Sequence, residues 1–137
     1  MLTVPYLWKG AQAFPVADVT FEAARFPLTV KALVNSGASF SVFRAEVLEC
    51  LRIPLSHGRR LYLEGIGGRI LGYLHRLPVR VGGVRFPLTV VFSQELAVSF
   101  NLLGRDNFFH NFLVTFDERR RETRLQAYRS HHTARVI

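Results

Sequence analysis

Along the chain, apolar residues alternate with polar ones in short runs, and clusters of Gly, Pro and Ser separate the runs. This period of two predicts strands at residues 13–22, 26–34, 60–65, 69–77, 79–81, 84–92, 112–116 and 123–128. The Gly82-Gly83 step inside VGGVRF predicts a two-residue hairpin, because glycine accepts the positive φ angles such turns need. Two segments carry a helical pattern: residues 44–51, ended by the Pro54 region, and a shorter one opening at Arg105. The hexapeptide RFPLTV occurs at residues 25–30 and again at 85–90. Each copy leads into an apolar run, a glycine and a helix-like segment, as duplication of a β unit would produce. Many short strands with one or two short helices predict an all-β fold, closed or sandwiched.

Composition narrows the class. A chain of 137 residues is expected to form a single domain, residues 1–137, with its core at about 13–128. Its 49% hydrophobic content and 12 Phe supply a bulky core. No apolar run approaches the ~18 residues of a membrane span. The opening MLTVPYLWKG lacks the basic start and long apolar stretch of a signal peptide. A cytoplasmic protein without membrane contact is expected. Cys50 is the one cysteine, which excludes an internal disulfide, and its place in RAEVLECL suggests a small buried apolar residue. His57, His75, His110, His131 and His132 show no ligand spacing, so neither a metal nor a cofactor is expected.

The net charge of +8 comes from 18 basic residues, of which only Lys9 and Lys31 are lysines. The arginines are scattered singly until a basic C-terminal tail, residues 119–137. That scatter argues against nucleic acid as a partner. The tail reads as a solvated terminus, with a nucleic-acid or acidic-peptide contact as the sharper alternative.

The candidate chemistry lies in ALVNSGASFSVF, residues 32–43. A strand drives into a small-residue loop that holds polar side chains in an apolar setting, the usual way of presenting a catalytic group. The presenting residue, however, is Asn35. This stretch, the glycine-rich LYLEGIGGRILGYL around Gly65, Ile66, Gly67 and Gly68, and NLLGRDNFF from Asn101 follow one another in order. Together they resemble the three signatures of the retropepsin-like aspartic proteases, single-domain relatives of pepsin, over roughly residues 13–128. The resemblance implies a closed β-barrel with a flap hairpin, and Asn35 in the place of the catalytic aspartate.

In that family two carboxylates share one proton across a bound water. One takes the water's proton while the other polarises the scissile carbonyl. The aspartates of this chain are Asp18, Asp106 and Asp117, none in such a loop, so one chain cannot build the pair. The resemblance therefore implies a twofold homodimer acting on a peptide or protein substrate. It gives Ser36 a hydrogen bond across the twofold, makes Gly37 and Ala38 the floor, and makes Gly65, Ile66, Gly67 and Gly68 the tip of the flap. Ile66, Ile70, Leu71 and Val91 are expected as apolar lining. Arg105, which the viral enzymes pair with a carboxylate just after the triplet, faces Ser39 and Phe40 here. Asp106 is expected at a helix N-terminus.

The implied function is an aspartic endopeptidase present as an inactive Asp-to-Asn active-site variant. Two accounts fit Asn35: replacement of a working aspartate by its near-isostere, or a naturally inactive peptide-binding or dimerisation module. The otherwise complete machinery favours the first. A basic nucleic-acid-binding barrel is the remaining alternative.

Overall fold

A computed structural model describes residues 1–65 and 68–128. Among the described residues there are twelve strands and one short α-helix: β1 (Leu2–Pro5), β2 (Leu7–Lys9), β3 (Gln12–Phe14), β4 (Val16–Phe21), β5 (Leu28–Val34), β6 (Ser41–Arg44), α1 (Ala45–Leu51), β7 (Arg59–Gly65), β8 (Gly68–Val81), β9 (Val84–Ser93), β10 (Asn101–Leu103), β11 (Phe112–Asp117) and β12 (Glu122–Ala127). The fold is all-β, as the alternation predicts.

The main sheet runs β4-β5-β10-β6-β9-β8-β7, and β8 also pairs with β4 through Thr20↔Arg80 and Phe21↔Val79. The pairing thus returns on itself and leaves β7 attached to β8 alone. At the centre, β10 and β6 are antiparallel, and each has a parallel outer neighbour, β5 for β10 and β9 for β6. The two RFPLTV copies lie in or run into β5 and β9, which hold equivalent places about that centre. A second sheet, β1-β12-β11, and the β2–β3 hairpin complete the chain.

Aromatic side chains fill the interior. Phe21, Phe43 and Phe92 contact one another with centroids 5.6 to 6.3 Å apart. Phe86, Phe108 and Phe112 form a second group at 5.2 to 6.4 Å. Such tilted and edge-on pairs add to the burial of large apolar surfaces. Helix α1 closes over the core with Ala45, Val47, Leu48 and Leu51, and ends where Arg52 turns left-handed at φ 58°. Cys50 is exposed, contrary to expectation, because it lies off that buried face.

Several elements depart from the pattern-based reading. The 13–22 run divides at Pro15 into β3 and β4. The runs at 69–77 and 79–81 fuse into the 14-residue β8 despite Pro78. Pro78 stands opposite Pro87, and a pair of that kind needs no ladder hydrogen bond where an antiparallel sheet offers non-bonded positions. The helix expected from Arg105 is only a 3₁₀ turn at Phe108–His110. Before it, Asn107 is tied to β9, its side chain accepting from the Thr89 N–H and donating to the Pro87 carbonyl. After it, Phe112 must enter β11. Residues 119–121 form the β11–β12 turn and 122–127 are strand, so much of the expected tail is sheet; the rest, from 129, lies outside the described residues. No helix among the described residues is long and apolar enough to cross a membrane.

Candidate active site

Strand β5 ends by delivering Asn35 to the surface of the closed sheet. Its backbone N–H donates to the Leu103 carbonyl at 2.9 Å, and its carbonyl accepts from Ala38 at 3.2 Å, which closes the turn. The side-chain Oδ1 accepts the Gly37 N–H at 2.9 Å. This is an Asx-type turn, in which a short polar side chain replaces a backbone acceptor. A Cβ on Gly37 would sit 3.2 Å from that Oδ1, so a side chain there would crowd the turn. Asn35 is half-buried, Ser36 and Gly37 are exposed, and Ala38 is half-buried. The four loop residues among those expected at the site thus form one tight turn at the end of β5.

A second segment underlies this loop. Arg105 N–H donates to the Ala38 carbonyl, and Asp106 N–H to that of Ser39, both at 2.8 Å. Between them and β10, Gly104 is wedged so closely that a Cβ would lie 2.3 Å from the Phe40 carbonyl oxygen. Its N–H reaches the buried Ser41 Oγ at 3.0 Å. The motif from Asn101 thus serves as a backbone support for the NSG loop. Sequence reasoning placed that motif but missed Ser41, whose only signal is a small polar residue opening an apolar run. Asp106 does not start a helix; it forms a bridge with Phe40, and Asn107 precedes the 3₁₀ turn. Among the described residues, no carboxylate lies within ion-pair distance of Arg105.

The β7–β8 hairpin pairs Gly65 with Gly68, which adopts φ 107°. Gly65 and Gly68 thus stand at the turn as expected, and Ile66 and Gly67 lie outside the described residues. Leu63 and Ile70 share one face, half-buried, and Tyr62 and Leu71 the other. Arg69 stacks over Tyr62 at 4.2 Å. The end of β9 and the residues just after it grip the hairpin: Glu95 accepts from the Leu71 N–H at 2.8 Å and Ser93 donates to its carbonyl at 2.7 Å. Val91 is not lining; it is fully buried, against Gly72, where a Cβ would come within 2.3 Å of its Cγ1.

A half-open concavity of about 390 Å³ adjoins the loop, lined by Ser39, Arg105, Asp106, Phe109 and His110. No group of three His, Cys, Asp or Glu side chains among the described residues could hold a metal ion.

Residues 18–107 match the family described as aspartyl protease. That stretch exceeds half the chain, which therefore belongs to the aspartyl protease family, in its retropepsin-like form. The chain is also 32% identical over 82 residues to DNA damage-inducible protein 1 of Yarrowia lipolytica, covering 56% of this chain and 20% of that protein. It thus spans about one fifth of the length of this relative.

Proposed function

We propose that this chain is one half of a homodimeric aspartic endopeptidase, silent as it stands because Asn35 fills the place of the catalytic aspartate. The observation that carries the reading is the Asn35 Oδ1 contact with the Gly37 N–H at 2.9 Å. A carboxylate of the same shape would accept the same bond, so the loop suits Asp and Asn alike. What differs is chemistry. A carboxamide neither takes a proton from water nor gives one to a scissile carbonyl near neutral pH, whereas a carboxyl pair does both.

One loop per chain means that two copies must bring their Asn35 residues together. In this reading exposed Ser36 bonds across that junction, Gly37 and Ala38 form the floor, and the Gly65–Gly68 hairpin covers a bound peptide and excludes water. In the dimer both catalytic positions are lost together.

The test is Asn35→Asp. Two carboxylates held about 3 Å apart cannot both ionise, so one pKa rises and activity should peak on the acid side of neutrality. Both forms would be assayed on unfolded protein and apolar-rich peptides from roughly pH 3 to 8, a range that brackets a shared-proton carboxyl pair. Cleavage by the Asp form alone, blocked by a transition-state mimic, is the expected result. A folded, dimeric Asp form that cuts nothing at any pH would leave a peptide-binding module as the better reading. A strictly monomeric chain at micromolar concentration would remove the two-subunit site altogether.

A further inference from the structure

Resting on that reading of the site, we propose that the concavity beside the Asn35 loop is a subsite for a substrate carboxamide, an Asn or Gln side chain. The cavity wall and the floor of the site are one structure. Arg105 and Asp106 line the cavity, and their backbone N–H groups hold the carbonyls of Ala38 and Ser39 at 2.8 Å. A peptide lying across the floor loop therefore passes this cavity within a few residues of the scissile bond.

Among the described residues, the charges that line the cavity take part in no ion pair. Ion pairs among the described residues join Lys31 to Asp18, Arg80 and Arg85 to Glu22, and Arg120 and Arg124 to Asp117. Neither Arg105 nor Asp106 takes part in one, although they are consecutive, and both are exposed. Arg44 offers a contrast, since its guanidinium is engaged by the carbonyls of Leu96 and Val98. The cavity thus holds a donor fork and an acceptor side by side, each without an ion-pair partner among the described residues.

Ligand chemistry follows from that pairing. A carboxylate would be drawn to Arg105 and repelled by Asp106, and an ammonium group the reverse. An apolar side chain would strip water from both and return nothing. A carboxamide carries an acceptor and two donors in one plane, so its oxygen can face Arg105 while its nitrogen faces Asp106. The half-buried Phe109 gives the methylenes an apolar wall, and the Ser39 hydroxyl can donate or accept as required.

Blocked octapeptides with an apolar centre, carrying Gln, Glu, Lys or Leu at each position in turn, would be titrated against the Asn35 protein by nuclear magnetic resonance. Gln at one position should bind roughly five- to tenfold more tightly than the other three, as expected for one or two net hydrogen bonds. Amide signals of residues 39, 105, 106 and 110 should move with it. Asp106→Asn should shift the preference to Glu and Arg105→Gln should shift it to Lys, opposite changes that a merely structural role would not produce. Equal binding of all four series, binding by none, or the same preference in both variants would overturn the subsite. Cleavage profiles of Asn35→Asp separate the two ideas. Cleavage indifferent to the amide sinks the subsite and leaves the endopeptidase standing, whereas amide-selective binding without any cleavage does the reverse.

Discussion

The hexapeptide RFPLTV occurs twice, and its two copies meet opposite fates. In the second copy Phe86 is 8% exposed, and Leu88 and Val90 are fully buried. In the first copy Phe26 is 73% exposed, with only Arg25 over its ring at 5.6 Å. The second copy lies wholly within β9, paired with β8 throughout and with β6 at Val90, and its Phe86 is covered by Phe108 and Phe112. The first copy enters its strand only at Leu28, and its aromatic residue sits before the ladder begins. The two strands hold equivalent places in the sheet order, yet only the second copy's phenylalanine lies inside its strand and under the C-terminal segment. Burial here belongs to the neighbours and not to the motif.

The comparison can be broken most sharply by truncating both phenylalanines. Phe86→Ala should cost about 3–5 kcal/mol, the range for a buried aromatic, while Phe26→Ala should stay within ~0.5 kcal/mol. Urea midpoints would decide, and equal losses would refute the account. A smaller effect is expected from glycines on either side of the site. Gly104→Ala pushes a methyl into the Phe40 carbonyl and should cost roughly 1–3 kcal/mol, as overpacking does. Nothing lies within 4 Å of a Cβ on Gly65, so Gly65→Ala should be tolerated. If Gly104→Ala melts like the parent, the wedge beneath the loop is not tight.

Acid should then act on the buried side of the molecule. His75 stands opposite Val90 of the buried copy, packs edge-on to Phe92 at 5.4 Å and meets the Leu55 carbonyl at 3.1 Å. Burial holds its pKa below the ordinary 6.5, a backbone hydrogen bond to Leu55 pulls the other way, and His57 adds a small lowering. The unfolded chain then binds the proton more readily, so His75 favours the fold above pH 6.5 and loses that contribution as pH falls through the folded pKa. His75→Gln should flatten that part of the melting-versus-pH curve; an unchanged slope would exclude His75 as its source. Smallest of all is the outward face of the first copy's strand. The exposed Lys31–Asp18 pair at 2.9 Å should contribute roughly 0.2–1 kcal/mol and fade with salt. A double-mutant cycle at two salt concentrations would measure it.

Periodicity alone placed most long strands to within a few residues, because β5, β8 and β9 carry enough alternation to declare themselves. The Asn35 loop was legible for a different reason: the polar, small-residue run Asn-Ser-Gly-Ala breaks directly into an apolar strand pattern. The short strands escaped. β6 and β10 hold four and three residues, and their existence rests on pairing with each other and with β9 and β5. The helix expected at Arg105 failed because local propensity could not register the ties from Asn107 to β9. Likewise, Val91 resembled a lining residue, but Gly72, against which its side chain packs, made room for burial. What the chain's own pattern lacks is knowledge of its neighbours across the sheet.

Strand β8 behaves mechanically as a cantilever. From Tyr73 to Val81 it is clamped, with β9 along its whole length and β4 at its far end. From Gly68 to Ile70 it has only β7 paired beside it, because Glu95 and Ser93 still hold the backbone of Leu71. A beam held in this way bends next to its clamp, and here the clamp ends at Leu71, beside Gly72, whose missing side chain lets Val91 press against the backbone. The hairpin arm can therefore swing as one piece while the closed sheet stays still. A bulky residue at position 72 would move the fulcrum and change how far the arm travels, without touching any atom at its tip.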